Sequence, residues 1–237
     1  MFPLALLNAA SPPSPPVDPG LTLALLHFDG ADGSTTFTDS SPVPLTYGQE
    51  YVNNTISTTQ SKFGGASLFV STDTSSGVRN SGINDKFVLG NSDFTIECWF
   101  YTTSIDDVNR GIIGFADRHG IKIQNGLLSA AVYTGYTGGY NIVTNTNAVL
   151  ANTWNHVAVV RQSTLLKLYV NGVGSTSSPN LGTSPLVNDG NNYFKVTQGI
   201  YQGDFISSIS GFIDEVRFRK EAVYTGNFTP PTAPFTY

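Results

Sequence analysis

The chain has 237 residues, 40% of them hydrophobic and only 12% charged, with 17 acidic against 12 basic residues for a net charge of −5. The apolar share allows a sizeable core, while the low charge leaves Ser, Thr, Asn and Gly to make the surface. No cluster of Lys or Arg could neutralise a run of phosphates, which argues against nucleic acid as a partner, and no apolar run approaches the ~20 residues of a membrane helix.

Residues 1–20, MFPLALLNAASPPSPPVDPG, hold six of the thirteen prolines and show no alternating pattern. They read as an extended arm near polyproline II geometry, either a spacer or a segment laid along another protein, with Phe2, Leu4, Leu6 and Leu7 as its apolar anchor. A frayed terminus is the alternative. The opening MFPLALLNAA lacks the basic n-region of a signal peptide and contains Pro3.

From Leu21 the pattern is β. Strand-length runs bounded by Gly, Asn, Ser or Asp occur at 21–28, 93–101, 111–115, 120–124, 127–134, 141–146, 154–162, 165–172 and 211–219. In DFTIECWFY, Phe94, Ile96, Cys98 and Phe100 share one face, and Thr95, Glu97, Trp99 and Tyr101 the other, so a core face and a mixed surface face are expected. Cys98 reads as a small buried hydrophobe, since a single cysteine excludes an internal disulfide. Asn-Gly in VNGV (170–173) marks a hairpin. Many strands joined by tight turns predict an all-β fold, a two-sheet antiparallel jelly-roll sandwich over 21–237.

The last segment, GFIDEVRFRKEAVYTGNFTPPTAPF (211–235), puts Asp214 and Glu215 side by side in a strand, where alternation would aim them at opposite faces. Pro230, Pro231 and Pro234 then forbid a ladder, so the end should run as a strap over a sheet face with Phe228, Phe235 and Tyr237 as plugs. His27, His119 and His156 have no zinc or nucleophile-base spacing and read as histidines with structural partners. Asp29 and Asp32 in HFDGADG lie among glycines whose tight turns suit the oxygen ligands of Ca²⁺; bonding to backbone amides is the alternative. AVYTGYTGGYN (131–141) gathers Tyr133, Tyr136 and Tyr140 beside Asn141, a set able to stack on a sugar, to form a protein interface or simply to cover the sandwich.

LLHFDGADGSTTFTDSS, FGGASLFV, DFTIECWFY, WNHVAVVRQ with LKLYVNGV, and the terminal GFIDEVRFRKEAVYTGNFTPPTAPF follow one another as the blocks of the laminin-G-like branch of the concanavalin A-like lectin/glucanase superfamily do. The first and last blocks resemble domains of bacteriophage virion proteins, cyanophage ones included. The resemblance implies a jelly roll and, in many relatives, a calcium between the first-strand region and the Asp of the IDE motif, which maps to Asp214. The superfamily's glucanases alternate acidic residues as E-x-D-x-E along one strand, a pattern this chain lacks, so no enzyme is expected. The expectation is a non-enzymatic virion structural protein, a capsid decoration or tail-fibre component. It would bind other virion proteins through the arm, contact other subunits or host-surface glycan, and have the capacity to form homo-oligomers. A free or surface-anchored extracellular lectin is the alternative, with a glycoside hydrolase behind it.

Overall fold

The computed structural model describes residues 19–50, 54–71, 77–106, 108–134, 139–188, 190–197, 200–201, 204–205 and 207–237. Phe2, Leu4, Leu6 and Leu7 of the predicted arm, and Tyr136, lie outside the described residues.

In chain order the strands are β1 (Thr22–Leu26), β2 (Tyr47–Glu50), β3 (Asn54–Ser57), β4 (Ser67–Val70), β5 (Gly77–Asn80), β6 (Phe94–Thr102), β7 (Arg110–Phe115), β8 (His119–Gln124) and β9 (Leu127–Tyr133). They continue as β10 (Tyr140–Asn145), β11 (Trp154–Gln162), β12 (Leu165–Val170), β13 (Val173–Gly174), β14 (Phe194–Val196), β15 (Ile200–Tyr201), β16 (Asp204–Phe205), β17 (Ser207–Ser208) and β18 (Gly211–Arg219). Two eight-stranded sheets stack as a sandwich, the jelly roll expected. Sheet A runs β13-β12-β11-β6-β18-β4-β3, with β1 also on β18; sheet B runs β10-β9-β8-β7-β14-β5-β2, with β17 parallel to β7. The short β15-β16 hairpin lies against β7 and β8.

The core forms where the inner faces meet. Phe94, Ile96, Cys98 and Phe100 of β6 all point into it, and Phe218 of β18 sits 5.3 Å from Phe194, 5.4 Å from Phe115 and 5.6 Å from Phe87, ring to ring. Each such ring contributes roughly 1.5–3 kcal/mol by leaving water.

The outer face of β6 differs from the expected mixed surface. Thr95 and Glu97 are fully buried and Trp99 nearly so, because residues 220–237 cross this side of sheet A without forming a strand. That segment is the strap the prolines require. Phe235 packs with Leu25 and Trp99, and Phe228 lies against Tyr169 and stacks on Tyr224 at 3.5 Å. Tyr237 is 54% exposed and plugs nothing, a correction to the sequence expectation that follows from its place beyond the last anchor, Phe235. The Asn171-Gly172 turn, with φ of 49° and 80°, closes the β12-β13 hairpin as expected. It also seats the strap: the Phe228 N–H donates to the Gly172 carbonyl at 2.9 Å, and the Phe228 carbonyl occupies the space a Cβ on Gly172 would need.

Candidate functional site

Asp214 and Glu215 stand at a seam. Through Gly211–Ile213, β18 pairs with β4, and through Val216–Arg219 it pairs on that flank with β1, so two unrelated chain segments meet end to end beside the acidic pair. The register against β6 jumps between Asp214 and Arg217, and Glu215 has a φ of 52°, the signature of a bulge. The bulge breaks the alternation that would have sent the two carboxylates to opposite faces. Asp214 Oδ2 accepts the N–H groups of Lys62 and Phe63 at 2.7 and 3.1 Å, fixing the loop that leads into β4. Glu215 is bonded to His27 Nδ1, just past β1, at 2.9 Å, and accepts the Phe235 N–H of the strap at 2.7 Å. The pair therefore joins β18, the two segments on its flank and the chain's end. His27 accordingly has a structural partner, and that bond raises its pKa.

Glu97 organises a second buried cluster under the strap. Its Oε1 accepts from Arg217 Nε and Nη2 at 2.9 and 2.6 Å, and its Oε2 accepts the Tyr224 hydroxyl at 2.7 Å and faces His156 Nε2 at 3.1 Å. Burial pushes the Glu97 carboxyl up, but Arg217, His156 and Tyr224 outweigh it and hold it at about 2. Tyr224 is pushed far up by burial and by the neighbouring carboxylate. Glu97, Asp214 and Glu215 are each no more than 1% exposed, so none is open to a substrate.

The three carboxylates expected around calcium are differently placed. Asp32 is turned to Thr58, whose N–H donates to Oδ1 at 3.0 Å. Asp29 is exposed, its carboxylate resting on Cα of Gly64, where φ is 62° and a side chain would strike it. Asp214 keeps one buried oxygen, Oδ1, without a hydrogen-bond partner, and burial pushes its pKa up to about 7 against the backbone amides that pull it down. Among the described residues no three His, Cys, Asp or Glu side chains come together as a set able to hold a metal.

The tyrosines lie on sheet B. Tyr133 and Tyr140 are cross-strand partners on the outer face, half-buried, with ring centroids 5.0 Å apart. Asn141 is paired with Val132, a core residue, so it points to the other face and donates to Thr134 Oγ1 at 2.8 Å. The structure thus brings Tyr133 and Tyr140 together and leaves Asn141 out. It adds Arg118, whose guanidinium carbon lies 4.8 Å over the Tyr133 ring; a lone Arg in the turn DRHG carries no sequence signal of this. His119 supports the site from behind: stacked on Phe115, it takes the Tyr133 N–H on Nδ1 at 3.1 Å, and burial lowers its pKa to about 3, keeping the ring neutral. Along the same face Ser129 and Thr144 hydroxyls bond at 2.9 Å, and Lys122 reaches Asn109 at 2.5 Å.

These tyrosines and the root of the arm share one end of the sandwich. Thr22 pairs with Arg219, Arg219 with Thr95 at the start of β6, and Phe94 with Arg161. Arg161 donates to the carbonyls of Gly90 and Ser184, while Leu186 N bonds Gly90 and Val187 N bonds the Tyr133 carbonyl.

Residues 72–224, well over half of the chain, match the laminin-G model of the concanavalin A-like lectin/glucanases superfamily. The chain belongs to that superfamily. The match begins after β4, and the structure supplies the rest of the jelly roll from β1, β3 and β4, which complete sheet A, and β2, the edge of sheet B. Domain 4 of AbnA, an extracellular GH43 arabinanase from Geobacillus stearothermophilus solved with arabinotriose, is similar at 20% identity and a TM-score of 0.59, over 86% of this chain and 94% of that one. The receptor binding domain of botulinum neurotoxin C/D mosaic serotype has a TM-score of 0.64 at 10% identity, covering 87% of this chain and 49% of the other. A botulinum neurotoxin type C structure, described by a cell entry that depends on two ganglioside molecules, has a TM-score of 0.60 at 13% identity over 87% and 49%. The chain spans about half the length of these toxin domains, and likeness at such identities is likeness of fold. No curated protein matches in sequence. No helix among the described residues is long and apolar enough to cross a membrane.

Proposed function

We propose that this chain is a non-enzymatic adhesion module, a laminin-G-like domain displayed on a bacteriophage virion by its Pro-rich arm and directed at other subunits or at host-surface glycan. The observation that carries the adhesive part is the contrast between its acidic and aromatic groups. Glu97, Asp214 and Glu215 are sealed beneath strap and loop, whereas Tyr133 and Tyr140 stand half-open on sheet B under Arg118. Sugar C–H faces stack on such rings, and hydroxyls of the kind on Ser129 and Thr144 bond sugar rims. The arabinotriose and ganglioside named for the similar structures accord with a carbohydrate ligand. The phage setting rests on the resemblance of the terminal sequence blocks and on the composition of the arm.

The test is binding of the full chain to an array of bacterial surface polysaccharides, beside Tyr140→Ala, with calcium and with chelator. Saturable binding to a narrow set, weakened about tenfold in the variant, is expected; no binding in either condition overturns the glycan role. Removal of residues 1–18 is expected to abolish incorporation into particles, and undiminished incorporation overturns the virion role of the arm. Binding without any particle association would favour the second reading, a free or surface-anchored lectin.

A further inference from the structure

β12 reads LLKLYV, with Leu166, Leu168 and Val170 in the core, so alternation puts Leu165, Lys167 and Tyr169 on the outer face of sheet A. In β11 the core takes Val157 and Val159; Val160 and Gln162 stand on the outer face, Val160 opposite Lys167 and Gln162 opposite Leu165. The strap leaves this corner open. It is pinned over β6, where Thr95 Oγ1 bonds Glu221 O and Val223 N at 2.8 and 2.9 Å and the Tyr224 hydroxyl reaches Glu97 at 2.7 Å. It is pinned again at the β12-β13 turn, by Phe228 on Gly172 and by Asn227 Oδ1, which accepts the Gly174 N–H at 2.9 Å. Beside the first anchor lies a groove of about 210 Å³, with Val160 and Tyr169 as its floor, Tyr224 as one wall, and Gln162, Leu165 and Lys167 along the other side.

The lining suits one small ring that carries a negative charge. Tyr224 is stacked on Phe228 at 3.5 Å with the ring planes 5° apart, which fixes the wall. Tyr169 is 1% exposed, and its hydroxyl has no hydrogen-bond partner among the described residues. Gln162 and Thr225, both exposed, bring an amide and a hydroxyl to the rim. Lys167 supplies the charge of the lining and makes no ion pair among the described residues. Carboxylates on the bordering segments are engaged elsewhere: Asp93 accepts the Ser163 N–H at 2.6 Å, and Glu221 takes Arg219 Nε at 2.5 Å. The ammonium is thus left for an anion that the chain does not provide. Apolar walls accept the C–H face of a sugar, amide and hydroxyl groups bond its rim, and an ammonium bonds a carboxylate. The volume is that of a single ring, below the ~300 Å³ at which sites for drug-sized molecules begin.

We propose that this groove is a binding site for an acidic sugar, a hexuronic or nonulosonic acid unit, seated against the Tyr224 wall with its carboxylate on Lys167. The site lies on the opposite sheet from Tyr133 and Tyr140 and stands or falls apart from any ligand on that face. Because Tyr224 belongs to the strap, an occupied groove also holds the strap in place.

Amide NMR of the full isotope-labelled chain tests this by titration with glucuronic, galacturonic and N-acetylneuraminic acids, and with glucose, galactose and N-acetylmannosamine as their neutral counterparts. At least one acid is expected to shift the Val160, Leu165 and Thr225 amides saturably, binding about tenfold more tightly than its neutral counterpart. Lys167→Gln, at a partly exposed position, should cost the same factor while leaving the rest of the spectrum unchanged, and Lys167→Arg should keep most of the affinity. Tyr140→Ala should leave the groove shifts as they are. Acidic and neutral sugars binding alike, or groove amides unmoved by all of these sugars, overturns the proposal. A response to sodium acetate or to a glutamate tripeptide equal to that of the sugar acids would make this a site for carboxylates in general, and overturns the sugar as its ligand.

Discussion

The Glu215 carboxylate accepts the N–H of Phe235 at 2.7 Å, so the middle of β18 holds the chain's end. The same carboxylate is bonded to His27 at 2.9 Å, which makes one side chain the meeting point of the first strand, the last strand and the strap. Glu215→Ala should cost about 1–3 kcal/mol through the bonds it leaves unmade. The loss should begin locally. Amide exchange at Phe235 and Thr236 is expected to rise before that of β6, and equal protection in variant and parent would show that ring packing alone holds the strap.

Glu97 should be the most sensitive polar position in the molecule. Its removal leaves Arg217 and His156 buried without their acceptor, a loss of the order of 3–5 kcal/mol. Arg217 retains the Thr236 carbonyl at 2.9 Å and the Phe235 ring below it at 4.5 Å, so the strap weakens without being released. Since the carboxyl is held at about 2, below its ordinary value of 4.5, its stabilising contribution is complete above pH 4.5 and lost as pH falls through 2. Urea unfolding of Glu97→Gln at pH 7 and in acid is the measurement: the variant should lie well below the parent at pH 7, with the gap closing in acid.

Sequence pattern exposes the long strands because their alternation is strict. Apolar residues dominate the inward positions of β6, β11 and β18, although Asn155 and Arg161 of β11 also lie on that side, and the terminal prolines of 230–234 leave a strap as the remaining conformation. β2, reading YGQE, and β14, reading FKV, are invisible in that way: each is short, and their ladders are set by neighbours rather than by their own alternation. The bulge at Glu215 is equally silent, since nothing in IDEV distinguishes an even strand from one that gains a residue where its neighbour changes from β4 to β1. Of the sugar-contact group, Tyr133 and Tyr140 are legible as aromatic residues near a glycine-rich turn, while the inward orientation of Asn141 depends on a register that only pairing with Val132 sets.

Asp214 should make the protein less stable as pH rises. Its carboxyl is raised from 3.8 to about 7, chiefly by burial, so between those values the folded state holds a proton that the unfolded state has lost. Its contribution is therefore fully present below pH 3.8 and gone above 7. Asp214→Asn, which keeps an acceptor for Lys62 and Phe63, should flatten that decline. Calcium bears on the same atom: an ion held by the unpartnered Oδ1 would favour the ionised form and raise the midpoint of thermal unfolding at pH 8 in the parent but not in the variant. Identical melting curves with calcium and with chelator would remove the ion from this site.

Tyr140 separates stacking from hydrogen bonding in the proposed glycan site. It lies on β10, an edge strand of sheet B, 5.0 Å from Tyr133, and is half-buried, so truncating it removes little of the core. Tyr140→Ala is expected to leave folding stability within about 1 kcal/mol of the parent. A stacked sugar face would lose roughly 1.4 kcal/mol, about tenfold in affinity. Tyr140→Phe preserves the ring and removes the hydroxyl, so a ligand held by stacking should bind it within about threefold of the parent, under about 0.7 kcal/mol. Tyr133→Ala should be costlier, because the ring also carries the Arg118 guanidinium at 4.8 Å. Binding isotherms for the three variants on one polysaccharide would order them Phe, then Ala at 140, then Ala at 133; unchanged affinity in all three would move the ligand away from this face of sheet B.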